Sequence, residues 1–446
     1  YFHVPMAISM EIAFLMAARF TSSRSLRQGA AVCAIASSCV ALYAYQPSRR
    51  PRYEPRNDTA SRINPPQFPR LKSREEQLKY LQLSDRPQEL QKPSDGSDNI
   101  YDLLIIGGGA TGTGIALDAV TRGLKVALIE RDDFSSGTSS KSTKLVHGGV
   151  RYLEKAVKEL DYEQYKLVRA ALRERKYFLE IAPHLSSTLP ILVPAHGRLE
   201  LPYLWAGTKL YDFLAGSQGL QKSYFLPRCK VAELFPFLDS KRLKGALVYY
   251  DGQHDDSRMN VSLALTAALY GATVVNHLEV TGFEKDGKGK LCGARVHNLI
   301  PGRELESEFV VRAKGIINAT GPFADTVHQL DDVNRSKMVA PSSGVHVVLP
   351  DWLGPKHMGL IDPSSDGRVI FLLPWGERLI AGTTDKGSMA VRDPIPVDED
   401  IDWILNEINK LLGQGVSIQR SDVLATWAGM SCRVIDPISS CLCLFL

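Results

Sequence analysis

Between Tyr101 and Glu130 the chain reads YDLLIIGGGATGTGIALDAVTRGLKVALIE, and this stretch leaves few folds open. YDLLII is a short apolar run rich in β-formers. Gly107, Gly109 and Gly112 follow in G-x-G-x-x-G spacing. IALDAV continues as a helix that Arg122-Gly123 stops, and LKVALI is a second buried strand ending in Glu130. Each part has a physical role. Gly107 permits the tight turn out of the strand, Gly109 lets backbone N–H groups approach a pyrophosphate, and Gly112 lets the helix pack on the strand. The helix N-terminus offers unpaired N–H groups and a positive dipole end. Gly107, Gly108, Gly109, Ala110, Thr111 and Gly112 are therefore the predicted phosphate cradle. Glu130 falls 23 residues after Gly107, where a carboxylate accepts hydrogen bonds from ribose hydroxyls and repels a 2′-phosphate. A lone glycine fingerprint is weak, but here strand, helix, second strand and acid are all in register.

The next segment is RDDFSSGTSSKSTKLVHGGVRYLEKAV. Small hydroxyl residues, then basic residues and paired glycines, make a loop rich in donors. It follows the ribose-binding acid directly, beside the same nucleotide. Ser135 to Ser140, with Thr138 and Ser139 among them, can hydrogen-bond phosphates. Lys144, His147 and Arg151 can point toward an anionic ligand. Against this stands a plain polar surface loop, which convergence of a cation, an imidazole and glycines within eight residues disfavours.

From Arg151 to Ile181 apolar residues recur at three- and four-residue steps, predicting one long helix or two, closed by Pro183. Residues 185–245, rich in Pro and aromatics, read as an inserted non-Rossmann portion. ALVYYDGQH reads as a strand running into a polar turn, and VSLALTAALYGATVV as helix, glycine, strand. KGIINATGPFADTV gives a strand and then Ala319-Thr320-Gly321, a turn that can abut the same nucleotide. SSGVHVVLP and RVIFLLPWGERLIAGTTD alternate as antiparallel strands. The fold class predicted is α/β, a Rossmann-type dinucleotide-binding domain interleaved with a mainly antiparallel β substrate domain.

The net charge of +4 conceals an asymmetry: residues 1–72 carry ten Lys/Arg against three Asp/Glu, and the rest is slightly acidic. The body therefore makes no case for nucleic acid. Residues 1–53 hold one acid, Glu11, and six arginines among many Ala and Ser, the composition of an organelle transit peptide. GAAVCAIASSCVALYAY is a marginal membrane span. A removed presequence and a presequence with a shallow membrane anchor both stay open. Residues 54–98 read as a linker in which REEQLKYLQL forms a helical turn or two, so the folded body is expected to start near Asn99. Seven scattered cysteines without C-x-x-C fit neither a disulfide framework nor a zinc site, and no metal is expected.

IGGGATGTGIALDAVTRG, SSGTSSKSTKLVHGGVRYLEKAV, YYDGQHDDSR, NATGPFAD, PSSGVHVVLP and LLPWGERLIAGTTD together resemble the FAD-dependent glycerol-3-phosphate dehydrogenases of the membrane-associated mitochondrial type. These lie within the D-amino-acid-oxidase-like flavoprotein group. The resemblance runs from about Tyr101 to Gly429. It implies FAD, oxidation of sn-glycerol 3-phosphate to dihydroxyacetone phosphate, transfer of electrons to a membrane quinone, and a place at the inner mitochondrial membrane. It also implies Arg131, Lys144, His147, Gly148 and Gly149 at the cofactor, besides the cradle. A phosphorylated substrate calls for a guanidinium, and Arg151 with Tyr152 is the first candidate. Alcohol oxidation calls for a base within hydrogen-bond reach, and His147 is the candidate, with His346 second. For His346 a core histidine is an equal reading.

The resemblance breaks after Gly429. The family pattern W-[AS]-G-[IV]-R-P-L becomes WAGMSCRVIDP, with Ser431 at the arginine position and Arg433 two residues later on the same face. A later lysine-bearing G-G-K segment and a helical C-terminal domain are absent. The expectation is a truncated product with weak FAD binding and little activity. An oxygen-using oxidase and a non-catalytic flavin-binding remnant stay open beside the quinone-linked dehydrogenase. The predicted layout is a targeting segment, anchor and linker over 1–98, then an oxidoreductase domain over 99–446. FAD-binding parts are placed at about 99–184, 246–330 and 420–446, and substrate parts at about 185–245 and 331–419.

Overall fold

The computed structural model describes residues 70–85, 99–197, 199–300, 307–363 and 368–435. The transit-like stretch, its apolar run and the divergent end beyond Ile435 lie outside them.

Along the chain, helix α1 (Arg74–Leu83) comes first, followed by β1 (Tyr101–Ile106), α2 (Ala110–Thr121), β2 (Val126–Ile129) and β3 (Leu145–Val146). Helices α3 (Val150–Glu159) and α4 (Tyr162–Ile181) lead to β4 (Ser186–Ala195), α5 (Glu200–Ala215), β5 (Tyr224–Pro227), α6 (Arg228–Leu234) and β6 (Gly245–His254). Then come α7 (Asp256–Leu269), β7 (Thr273–Val275), β8 (Leu278–Lys285), β9 (Leu291–Asn298), β10 (Glu308–Asn318) and α8 (Ala324–Gln329). The remainder is β11 (Val339–Pro350), β12 (Gly359–Pro363), β13 (Val369–Trp375), β14 (Arg378–Gly382), β15 (Lys386–Gly387), α9 (Asp398–Leu411) and β16 (Ala425–Val434).

The strands make two sheets. In the first, ordered β7-β2-β1-β10-β9-β8, the β7, β2, β1 and β10 contacts are parallel and the β10, β9 and β8 contacts antiparallel. Strand β2 and most of β1, at its centre, are apolar without alternation because both faces are covered. Ile105, Val126, Leu128 and Val274 pack on Ala116 and Ala119 of α2 and Ala264 and Ala267 of α7. Leu104, Ile106, Ala127, Ile129 and Val275 face the other way, against Ala294 and Val296 of β9 and Leu78 and Leu81 of α1.

Helix α1 corrects the expectation that the folded body starts near Asn99. Ser73 caps it in a capping box with Glu76, and Leu78 and Leu81 are fully buried. Its polar residues close open sheet edges. The Val274 amide donates to Gln77 Oε1 at 2.7 Å, the Val310 amide to Asp85 at 3.1 Å and the Arg312 amide to Ser84 Oγ at 3.2 Å. Arg74 Nη2 reaches the Asn276 carbonyl at 2.8 Å and Asn298 Oδ1 at 3.0 Å. A short helix with two buried leucines has too weak a periodic signal to be told from a linker turn.

The second sheet runs β15-β11-β14-β13-β12-β4-β6-β3, with β16 on β11 and β5 on β6. Its contacts are antiparallel except β12 with β4. It holds an apolar core shared with α9, whose Ile401, Ile404 and Ile408 pack on Val345, Val347 and Ile370. Two segments expected in FAD-binding parts lie in this sheet. β6 pairs with β4 over ten residues, and β16 pairs with β11 over ten. The helical run after Arg151 is two helices: Leu160 takes φ 54° and Asp161 restarts the helix as N-cap of α4. Among the described residues no helix is long and apolar enough to cross a membrane.

Candidate active site

The glycine turn sits where the parallel strands end. Gly107 has φ +108°, a backbone open to glycine and strained for other residues. A Cβ on Gly112 would lie 1.9 Å from the Gly107 carbonyl oxygen, so α2 can approach β1 only because this residue has none. β10 lies beside β1 in parallel, with Asn318 opposite Ile106. The Ala319 amide donates to the Ile106 carbonyl at 2.8 Å, and a Cβ on Gly107 would lie 2.5 Å from the Ala319 oxygen. The two turns picked out in the sequence, 107–112 and 319–321, therefore touch at one end of one sheet. Thr320 is held by Asn318 Oδ1, which accepts from its hydroxyl at 2.6 Å.

Glu130, at the end of β2, accepts from the Gly108 amide at 2.6 Å and the Asp132 amide at 2.8 Å. Burial pushes its pKa up, opposed by the Gly108 amide and the Arg131 charge. Arg131 lies beside Asp132 and over the Phe323 ring, 5.2 Å from its centroid.

The loop after Glu130 folds back on the N-terminus of α2. Ser139 Oγ accepts from the Ala110 amide at 2.9 Å, and Thr111 is exposed beside it. The Thr138 hydroxyl donates to the Met430 carbonyl on β16, tying the loop to the second sheet. The Ser140 hydroxyl reaches back to the Gly137 carbonyl. Ser135 is buried in a left-handed conformation and its hydroxyl has no partner. Asn260 of α7 donates to the Gly108 carbonyl at 2.8 Å and accepts from the Thr113 hydroxyl at 2.6 Å, locking helix to turn.

The Lys144 charge is met within the protein. Its ammonium lies 2.6 and 2.8 Å from the two Asp256 oxygens, and it is 9% exposed. A cleft of about 230 Å³ runs between this loop and the second sheet, lined by Ser140, Lys144, Val348, Trp375, Ile380 and Trp427.

His147 lies at the end of the short β3, which pairs with β6. Its Nδ1 is 2.5 Å from Asp251 Oδ2, and its Nε2 is shielded from solvent without a partner. Gly148 and Gly149 follow; the Gly148 amide donates to Asp251 Oδ1 at 2.9 Å, and Gly149 caps α3 at φ 84°. Arg151 and Tyr152 stand in the first turn of α3. The Tyr152 ring packs on the Leu153–Val168 cluster, while the Arg151 side chain lies outside the described residues.

His346 turns out to be a core imidazole. It is 4% exposed, stacks on Trp427 at 5.0 Å and holds Nε2 2.9 Å from the Thr143 hydroxyl. Burial, helped by the Lys144 charge and opposed by Asp256, drives its pKa down to about 3. Stacked on Trp427 and bonded to Thr143, it has the setting of a structural imidazole. Arg433, two residues beyond the family's arginine position, is ion-paired with Asp385. Asp251 and Arg175 went unselected in the sequence. Their signal is an acid within the apolar strand ALVYYD and an arginine on the buried face of α4.

These residues suit a flavin dinucleotide: a pyrophosphate cradle at a helix N-terminus, a carboxylate at the ribose position, and two polar atoms, Ser135 Oγ and His147 Nε2, buried without partners. Residues 102–440 match the family described as FAD dependent oxidoreductase. The chain belongs to the FAD dependent oxidoreductase family. Its cofactor is accordingly FAD. Among curated proteins it is 50% identical over 390 residues to the human mitochondrial glycerol-3-phosphate dehydrogenase, a match covering 84% of this chain and 53% of that protein. It is 51% identical over 342 residues to a mitochondrial glycerol-3-phosphate dehydrogenase of Arabidopsis thaliana, covering 75% and 53%. The chain thus spans about half the length of the curated relatives it matches. The glycerol-3-phosphate dehydrogenase of Bacillus halodurans, solved with FAD, superposes with a TM-score of 0.62 at 29% identity, covering 80% of this chain and 59% of that one. The L-alpha-glycerophosphate oxidase of Mycoplasma pneumoniae, with FAD bound, shares the fold at a TM-score of 0.57 and 17% identity, covering 75% and 84%.

Proposed function

We propose that this flavoprotein oxidises sn-glycerol 3-phosphate to dihydroxyacetone phosphate at the inner mitochondrial membrane surface and passes the electrons to a membrane quinone. The observation that carries this reading is the fold of the 134–152 loop, the stretch most distinctive of glycerol-3-phosphate dehydrogenases. It brings a shielded, unpartnered imidazole nitrogen to the same loop that covers the fingerprint helix. The names of the relatives supply substrate and compartment.

The chain's residues divide the task. Gly107 to Gly112 and the α2 N-terminus hold the pyrophosphate, Glu130 the ribose, and Ser135, Ser139, Thr320 and Gly321 border them. FAD, when bound, would supply the two-electron acceptor for the hydrogen leaving the carbinol carbon with its electron pair. His147 Nε2 takes the hydroxyl proton, which leaves the carbon–oxygen double bond of the ketone. Arg151 and Tyr152, at the N-terminus of α3, bind the substrate phosphate, where a guanidinium fork and the positive end of the helix dipole suit three anionic oxygens.

The test is the visible spectrum of the purified 446-residue chain reconstituted with FAD, without oxygen. The flavin band should bleach with sn-glycerol 3-phosphate and not with glycerol or sn-glycerol 1-phosphate. Absence of bleaching would refute the assignment. Reoxidation by a soluble quinone without peroxide supports the quinone acceptor, whereas stoichiometric peroxide in air replaces it with oxygen. Stoichiometric FAD on the purified chain would also refute the expectation of weak binding drawn from the sequence.

A further inference from the structure

We propose that Asp251 is the positioning residue of the site: it fixes His147 as the Nδ1–H tautomer and thereby presents the lone pair of Nε2 to the substrate hydroxyl. This rests on the base role proposed for His147.

Asp251 is fully buried on β6 and faces donors on every side. Arg175 Nη1 donates to Oδ1 at 2.6 Å, the Gly148 amide to the same oxygen at 2.9 Å, and the Tyr211 hydroxyl to it at 3.2 Å. A carboxylate surrounded by a guanidinium, an amide and a phenol is held ionised. Burial alone would raise its pKa, but His147, Arg175 and the Gly148 amide outweigh it, and the net direction is down. Arg175 is itself 2% exposed and gives Nη1 also to the Tyr250 carbonyl at 2.9 Å, so this ion pair belongs to the scaffold.

An ionised carboxylate has no proton to donate. The 2.5 Å contact between its Oδ2 and His147 Nδ1 therefore requires the proton to sit on Nδ1. In a neutral ring Nε2 is then an acceptor only. Nε2 is also the atom that is shielded and unpartnered, so nothing within the protein competes for its lone pair. The same carboxylate sets where the ring points, since it bonds the imidazole through one oxygen and the next residue's backbone through the other. Gly148 is what permits this closeness: a Cβ there would lie 1.9 Å from the Tyr211 hydroxyl and 2.8 Å from Arg175 Nη1.

During turnover the hydroxyl proton reaches Nε2 and the ring becomes an imidazolium facing an ionised Asp251. The carboxylate stabilises that cation without taking the proton, as in other carboxylate–imidazole pairs. An amide in its place keeps shape and loses this charge. It also gains a donor that can bond Nδ1 and favour the Nε2–H form, which has no lone pair to offer.

The experiment uses the full FAD-loaded chain, uniformly ¹⁵N-histidine labelled, with His147→Gln marking which imidazole signals belong to His147. At neutral pH without substrate, the two-bond proton–nitrogen pattern should show His147 as the Nδ1–H tautomer. An Nε2–H tautomer in the wild-type chain overturns the proposal, and this measurement needs no variant of Asp251 to fold. In Asp251→Asn the pattern should move toward Nε2–H. Flavin reduction by glycerol 3-phosphate should slow by about 10²- to 10⁴-fold with little change in substrate KM. Wild-type reduction rates in a folded Asp251→Asn chain would overturn the proposal. Should the wild-type ring be Nδ1–H while its flavin ignores glycerol 3-phosphate, the proposed reaction falls and the tautomer assignment stands.

Discussion

Truncating the two buried leucines of α1 should detach that helix from the body and expose three sheet amides. Leu78 and Leu81 are fully buried against Leu104, Ile106, Ala127 and Ile129. A buried Leu→Ala change costs roughly 2–5 kcal/mol through lost transfer energy and the residual cavity. The two sites are one turn apart and share neighbours, so their effects will not add fully. The loss is also bounded, because an undocked helix has nothing further to lose. About 3 kcal/mol is therefore the expected figure for Leu81→Ala alone. The readout is hydrogen exchange followed by mass spectrometry over residues 272–276 and 308–312. The Val274, Val310 and Arg312 amides there donate to the Gln77, Asp85 and Ser84 side chains of this segment. If undocking is the opening event, 3 kcal/mol corresponds to about 10²-fold faster exchange at these amides. Lys79→Ala, on the exposed side, should change stability by less than about 0.5 kcal/mol. Unaltered exchange in Leu78→Ala/Leu81→Ala would show that α1 is no part of the fold, and that the body does start near Asn99. The same reasoning requires any N-terminal processing to cut before Ser73, which N-terminal sequencing of the mature protein would check.

Gly112→Ala should force the βα turn open, because the new Cβ meets a backbone oxygen at 1.9 Å and no side chain can yield. It should cost at least about 1–3 kcal/mol and weaken FAD binding tenfold or more, whereas Gly114→Ala, with open space around it, should be neutral or slightly stabilising. FAD titration that cannot tell Gly112→Ala from wild type would refute the close-packing argument. His346, with its folded pKa near 3 against about 6.5 unfolded, makes stability acid-sensitive. The unfolded chain binds the extra proton between these values, so stability is complete above the unfolded pKa and falls as pH drops through that window. The loss should be roughly 2 kcal/mol by pH 5, and His346→Phe should remove that component of a urea-denaturation series. An equal decline from pH 7 to 5 in both proteins would contradict the buried neutral ring.

The backbone geometry of the candidate nucleotide site was legible because its determinants are local. The turn at Gly107, the helix start at Ala110 and the acid at Glu130 lie within 24 residues, and short-range sterics dictate their geometry. The turn at Ala319 was legible for the same reason, though its contact with Gly107 depends on β10 pairing with β1 across two hundred residues. Residues whose partners are distant were read less well. Lys144 reads in the sequence as a cation for an anionic ligand, but its partner Asp256 lies 112 residues away, where no local pattern can show it. His346 could not be sorted between base and core, since burial of one ring in an alternating strand depends on Trp427 arriving from β16.

The sequence by itself determined that this chain builds a dinucleotide-binding βαβ unit, and that a hydroxyl- and histidine-bearing loop follows its ribose acid. Those features are written in contiguous residues, whose spacing and backbone freedom leave one local geometry. Only the tertiary structure decided which charges stay open to a ligand and which are cancelled internally. It alone joined Asp251, Arg175 and Tyr211 to His147, and it alone made α1 part of the core. The reason is that neutralisation and burial are pairwise properties. A lysine, an acid or a leucine carries its chemistry in the sequence, but what it faces is set when strands and helices far apart along the chain come together.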